Sequence, residues 1–363
     1  MKKIKIAFMK FAGLGSGGIE KYLQSFAKVL KEDGHEVDFF YTNAATIRGT
    51  SWIHPPNDEL RKKMVESWGI KTIPIHVEYR VHNTWHETNF FDIFNENDYD
   101  LLITAGNGQP EFPYTELKKI KIIHSVHGDH VFNQENIIQY ILICNWQAER
   151  WINNGGNKNK LKIIPPIVPE IHNYAKNFRE KNSIPQNAFV FGIHQRNDPT
   201  IYNPTCLLAF EQIPIDNNYF IFMGGSQQHR EIIKQFSKEK QSRIKFIDFC
   251  SDPLEIHSFL NSIDVYSHSR LDGEVCSASI IEAMSHGKPV ITCPGYNNGH
   301  KEQIENCGFF CENLKEYQNR MIDLSKDKEF YNSHKEKTLF KYQNEYSYIK
   351  IKNQILQTIN QSI

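Results

Sequence analysis

Short apolar runs alternate with longer segments of helical period along most of the chain. Ile4 to Met9 reads as a strand and Gly13 to Gly18 as a glycine loop. Glu20 to Lys31 then places Tyr22, Leu23, Phe26, Ala27 and Leu30 at helical spacing. Gly34 stops that helix and Val37 to Tyr41 starts a second strand. Asp100 to Ala105, Ile120 to His127 and Gln139 to Asn145 predict further strands in the same half. The pattern breaks at Asn153 to Lys160 and again at Pro165, Pro166 and Pro169, which predicts a linker between about 166 and 186. A second series follows: strands at Phe189 to His194, Tyr219 to Met223, Ile244 to Phe249, Val265 to His268 and Pro289 to Cys293. Helices are predicted between them near Pro204 to Gln212, Leu254 to Asn261 and Ser279 to His286. Strands alternating with helices predict two consecutive α/β domains built on parallel sheets. Residues 50 to 95, with Trp52, Trp68, Trp85 and several histidines, show no clear period.

Composition narrows the function classes. At about 150 residues per domain, 363 residues make two domains. An apolar content of 40% with 23% charged residues excludes a disordered or fibrous chain. Lys plus Arg and Asp plus Glu both number 42, with 20 of each in residues 1 to 170 and 22 of each beyond. Neither half has the basic excess of a nucleic-acid partner. Lys2, Lys3 and Lys5 before Ile6 to Met9 imitate a signal peptide, but Lys10 cuts the apolar run short. No stretch is long enough to span a bilayer, which leaves peripheral membrane contact open. Seven scattered cysteines without a Cys-x-x-Cys pair disfavour a disulfide framework and a structural zinc site, and fit a reducing, cytoplasmic setting.

Ligands of open parallel sheets bind beyond the carboxyl ends of the strands. Two such loops carry chemistry. Gly13-Leu14-Gly15-Ser16-Gly17-Gly18 follows a strand and opens a helix, as a dinucleotide fingerprint does, so an NAD-dependent oxidoreductase is one reading. Against it, Asp38 is followed by Phe39, Phe40 and Tyr41 within the same strand, whereas a ribose-binding acid should end the strand. The same loop would suit a phosphate or a sugar, or serve as a plain tight turn. The second loop is sharper. Asp272 to Ile291 carries Glu274, turns into a helix, and presents Glu282 eight positions later. A helix start attracts a diphosphate, and an ionised carboxylate accepts both hydroxyls of a ribose. Ser279-Ile280-Ile281-Glu282 is equally a capping box, in which Glu282 bonds the backbone at Ser279.

The segment from Glu274 to Ile291 resembles the retaining GT-B glycosyltransferases of family 4, the group 1 transferases: Glu, seven residues, Glu, Ala-Met, a Gly, then Pro-Val. Gly17-Gly18-Ile19-Glu20 is similar to that family's first glycine loop, His127-Gly128 to its strand-end histidine, Gly192 to Arg196 to the opening of its second domain, and Gly224-Gly225 to the loop after the next strand. The resemblance implies two Rossmann-like domains facing a central cleft: residues 1–170 on the acceptor side, 171–341 on the donor side, and a helix at 342–363 crossing back to the first domain. It implies sugar transfer from a UDP- or GDP-linked donor to a hydroxyl acceptor, a glycan, a lipid-linked sugar or a small molecule, with no metal or cofactor. Carried over, it makes Glu282 the ribose ligand, Glu274 the ligand of the transferred sugar, and Arg196 the partner of the diphosphate. Val275, Cys276, Ser277, Gly17 and Gly18 would approach the donor, and His127 would lie against its sugar. A catalytically inactive nucleotide-sugar-binding protein is the further alternative.

Several positions depart from the family. Ile201 stands where a lysine is usual, Ser277 replaces a glycine, Cys276 an aromatic, and Pro165-Pro166 an Asn-Gly pair. Among other candidates, Asp98-Tyr99-Asp100 precedes its strand and reads as a solvated turn. His124 and His127 alternate across a strand, which speaks against zinc binding with His130. His82 and His86 have helical i, i+4 spacing. Arg61-Lys62-Lys63 and Lys118-Lys119-Lys121 read as solvated faces.

Overall fold

A computed structural model of the chain describes residues 3–43, the backbone of 47–48, and residues 57–109 and 111–362; Trp52 lies outside these. Two compact units divide it: Met1–Ile167 together with Ile351–Ile363, and Val168–Lys350.

The first unit is built on a seven-stranded sheet. Its strands are β1 (Lys5–Lys10), β2 (Glu36–Thr42), β3 (Lys71–Ile75), β4 (Leu101–Gly106), β5 (Lys121–Val126), β6 (Ile137–Leu142) and β7 (Leu161–Ile163), in the order β7-β6-β5-β4-β1-β2-β3. Every pairing is parallel. A parallel strand is covered on both faces, so its side chains are apolar without alternation: Ile6, Ala7, Phe8 and Met9 of β1 are all fully buried. Helix α1 (Gly18–Glu32) buries Tyr22, Leu23, Phe26, Ala27 and Leu30, the stripe read from the sequence, and Val29 besides. Gly34, at φ +90°, ends the turn that follows.

Three features of this unit differ from the sequence reading. Strand β3 holds the sheet edge despite Pro74, because an edge strand has one side without a ladder partner. His82 and His86 lie on an antiparallel hairpin, 77–81 with 84–88, rather than a helix; His82 takes φ +50° beside the turn, and His86 stacks on Tyr79 at 4.8 Å. Arg61 is not on a solvated face. It is buried, and its Nε and Nη2 donate to Gln24 Oε1 at 2.9 and 2.6 Å.

The second unit has a six-stranded parallel sheet: β8 (Phe189–Gln195), β9 (Asn218–Gly224), β10 (Ile244–Ile247), β11 (Val265–Ser267), β12 (Val290–Thr292) and β13 (Phe309–Phe310), in the order β10-β9-β8-β11-β12-β13. Helix α2 (Ala278–Ser285) follows β11 through a loop in which Gly273–Glu274 pairs with Asn297–Asn298. Gly273 has φ +61°, and a Cβ there would meet the Asn297 carbonyl at 1.9 Å. Both sheets reverse their strand order beside the central strand, between β1 and β4 and between β8 and β11, which is where open α/β sheets leave room for a ligand. The terminal helix α3 (Tyr348–Ser362) returns to the first unit, with Ile351, Ile355 and Ile359 buried at four-residue spacing and Lys352 paired to Glu32 at 2.9 Å. No helix among the described residues is long and apolar enough to cross a membrane.

The two outer glycines of the first loop have different physical reasons. A Cβ at Gly13 would sit 2.9 Å from the Phe39 ring, while one at Gly18 meets nothing within 4 Å. Thermal or denaturant unfolding should therefore show Gly13→Ala destabilised by about 1–3 kcal/mol and Gly18→Ala unchanged or slightly more stable.

Candidate active site

The loops that leave β8 and β11 put most of the candidate residues of the second unit at one edge of the sheet. Its central strand β8 ends in His194 and Gln195, with Arg196 just beyond, and the chain after β11 runs through His268, Ser269 and Arg270 into the Glu274 loop. Tyr266 ties the two strands together by donating its hydroxyl to the His194 carbonyl at 3.2 Å.

Glu274 is held by cations and donors. Its Oε1 accepts from Arg270 Nη1 at 2.7 Å and from Ser277 Oγ at 3.2 Å, and His268 Nε2 lies 3.6 Å away. Arg270 also forks onto Asp272, Nε to Oδ1 at 2.9 Å and Nη2 to Oδ2 at 2.5 Å. Desolvation pushes the Glu274 carboxyl up, but the Arg270 charge, with His268 close by, outweighs it and holds the pKa at about 2. The same pair of acids raises the Arg270 guanidinium against its own desolvation. The sequence carried a signal for Arg270, an arginine with acids two and four positions on, that the reading above did not use.

Glu282 belongs to α2, and the capping-box alternative fails on position: the helix N-cap is Ser277, so Ser279 is already inside the first turn. The Glu282 Oε2 lies 2.9 Å from Nε2 of His194, with the two side chains 13% and 10% exposed. Ser277 donates its backbone N–H to Gln303 Oε1 at 3.0 Å and accepts back from Gln303 Nε2 at 2.8 Å, which fixes the tip of the helix. Cys276 is buried beside it. Arg196 reaches solvent and donates from Nε to Asp198 Oδ2 at 2.8 Å. Ile201 is buried in the short turn that follows, so no cation comes from that position. The positive φ of Gly224 and Gly225 lets β9 turn close to β8; a Cβ on Gly224 would stand 1.9 Å from the Gln195 carbonyl.

In the first unit, His127 follows β5. Its N–H donates to the Gly106 carbonyl at 2.7 Å, its Nε2 meets Ser125 Oγ at 3.0 Å, and its ring packs against the Tyr22 ring at 5.0 Å. Desolvation, with the Lys10 charge adding to it, pushes the imidazole down to about 3, so the ring is neutral at pH 7. Behind Gly17, the N-cap of α1, and Gly18, a buried ion pair joins Lys10 to Glu20 at 2.5 Å. His124 pairs with Thr104 and His130 with Gln109, so the three histidines of this segment have separate partners. Asp100 accepts from the Lys5 backbone at the amino end of the sheet, and Asp38 accepts from Tyr99 inside β2. Among the described residues no group of three or more His, Cys, Asp or Glu side chains is arranged to hold a metal ion.

The family model described as Glycosyl transferases group 1 matches residues 175–339. This segment is similar to the group 1 glycosyltransferases over 165 residues. The whole chain shares its GT-B fold with solved glycosyltransferases. HepE of Anabaena, solved in complex with UDP-glucose, is 16% identical with a TM-score of 0.74, over 99% of this chain and 100% of that one. A glycosyltransferase of Rickettsia africae is 16% identical at 0.74, covering 100% and 99%. Sucrose-phosphate synthase of Thermosynechococcus elongatus is 15% identical at 0.73, covering 99% of each. No curated protein matches the chain in sequence. The Glu-x7-Glu pair and its helix lie within the matched segment.

A carboxyl held at about 2 when folded and near 4.5 when free stabilises the fold above about pH 4.5, and that contribution is lost as pH falls toward 2. Wild type should therefore lose more denaturant resistance than Glu274→Gln between pH 5 and pH 3. Arg270→Leu, which strands the buried acid, should cost about 3–5 kcal/mol at pH 7.

Proposed function

We propose that the protein is a retaining glycosyltransferase that moves a sugar from a nucleoside-diphosphate sugar to a hydroxyl acceptor without a metal. The observation that carries this reading is the pair Glu274 and Glu282, both largely buried, bracketing the start of α2 at the strand-order reversal of the second unit. The UDP and UDP-glucose complexes of HepE support a uridine donor.

The roles follow from charge and reach. Glu282 accepts hydrogen bonds from the ribose, and Glu274, already ionised, accepts from hydroxyls of the transferred sugar. Departure of the diphosphate leaves cationic character on the sugar and extra negative charge on the phosphate, so stabilising charge is the main catalytic task. Arg196 at the rim of β8 and the amino end of α2 meet the phosphate, and the backbone of Val275, Cys276 and Ser277 lines the approach. In the first unit, Gly17 and Gly18 leave the amino end of α1 open to an anion, and neutral His127 places and polarises the sugar without acting as a nucleophile. The acceptor attacks from the face the diphosphate leaves, and a departing phosphate oxygen takes its proton, which gives retention at the anomeric carbon.

Thermal melts with UDP, GDP, ADP and their common sugars, and with NAD as control, test the donor class, because a ligand that binds only the folded chain raises its melting temperature. A shift with UDP or GDP and their sugars is expected, insensitive to EDTA; a shift with NAD alone would reverse the assignment to an oxidoreductase. Glu282→Ala should abolish transfer and Glu274→Ala should lower turnover at least a hundredfold. Binding without any turnover in wild type would instead identify an inert nucleotide-sugar-binding protein, with the buried Ile201 in place of a phosphate cation as the cause.

A further inference from the structure

Resting on the donor reading above, we propose that His194 is a positioning residue that fixes Glu282 for the ribose hydroxyls. His194 is the penultimate residue of β8, in the middle of the sheet, and its main chain is locked by the ladders and by the Tyr266 hydroxyl at 3.2 Å. Its ring is wedged edge-on between Phe259 at 5.8 Å and Tyr266 at 5.6 Å, so the direction of Nε2 is set by packing. Nδ1 is buried with no hydrogen-bond partner among the described residues, so Nε2 is the ring nitrogen that donates, to Glu282 Oε2 at 2.9 Å.

This arrangement suits a receptor for hydroxyls. A glutamate has three side-chain torsions to settle before it can bind, and a rigid donor settles them in advance. A single ring N–H occupies one of about four acceptor sites on a carboxylate. Glu274, by contrast, is held by a guanidinium that it shares with Asp272.

The test compares binding of UDP with 2′,3′-dideoxy-UDP by calorimetry, or GDP with its dideoxy form should GDP be the nucleotide that stabilises wild type. Wild type should prefer the ribose form roughly tenfold or more, the span of hydrogen bonds to a charged acceptor. His194→Phe, which fills the space without a donor, should bring that ratio close to one. His194→Gln, whose amide nitrogen reaches about as far as Nε2, should keep most of it. His194→Asn, too short to reach, should behave as Phe and stands in for it if Phe does not fold. A wild-type ratio in His194→Phe or His194→Asn would overturn the proposal, as would a Gln variant no better than those two. Wild type that binds UDP without ribose preference would overturn it and leave the donor reading standing. Wild type that binds no nucleoside diphosphate would remove both.

Discussion

Burying a carboxylate is unfavourable unless donors or cations meet it, and the second unit does this twice within nine residues of chain. Glu274 is answered by Arg270 and Ser277, with His268 close by; Glu282 is answered by His194. Both solutions are drawn from the ends of the two strands where the sheet order reverses. The acids, the strand tips and the amino end of α2 are thus one electrostatic arrangement, and the chemistry assigned to the domain depends on it.

The two pairings are not equivalent. An arginine forked between Asp272 and Glu274 stiffens the loop, so much of its contribution is to the fold itself. A histidine touching Glu282 supplies direction through one ring nitrogen. The tip of α2 is stiffened separately by Gln303, which closes both a donor and an acceptor on Ser277. The Ser277 side chain is itself engaged: its Oγ donates to Glu274 Oε1 at 3.2 Å and lies 2.9 Å from Ser279 Oγ.

The first unit uses the same sheet logic with different contents. Its glycine loop opens onto α1, but the acid of that helix, Glu20, turns back into a buried pair with Lys10. Asp38, the residue a dinucleotide reading would need at a strand end, points into a hydrogen bond with Tyr99 from the interior of β2. Gly18 faces open space rather than a packed strand, unlike the third glycine of a dinucleotide fingerprint, which serves close helix–strand packing.

The apolar runs and helical stripes by themselves determined the two parallel-sheet halves, because a strand covered on both faces has to be apolar along its length and the helix covering it apolar along one side. The Glu274-to-Ile291 motif likewise marked the loop, helix and strand that follow β11, since its spacing is local in sequence. Edge strands such as β3 and the 77–88 hairpin were not legible: an edge tolerates proline and polar residues, so its pattern is weak. Arg61 looked solvated because a basic triplet reads as a surface, and the Gln24 that buries it lies 37 positions away. The choice between capping box and ligand for Glu282 was open in the sequence, where both readings need the same four residues. The fold removed the capping box by starting the helix at Ser277, and it brought His194, 88 residues distant, within hydrogen-bond reach of Glu282 through the parallel crossovers that no local pattern encodes.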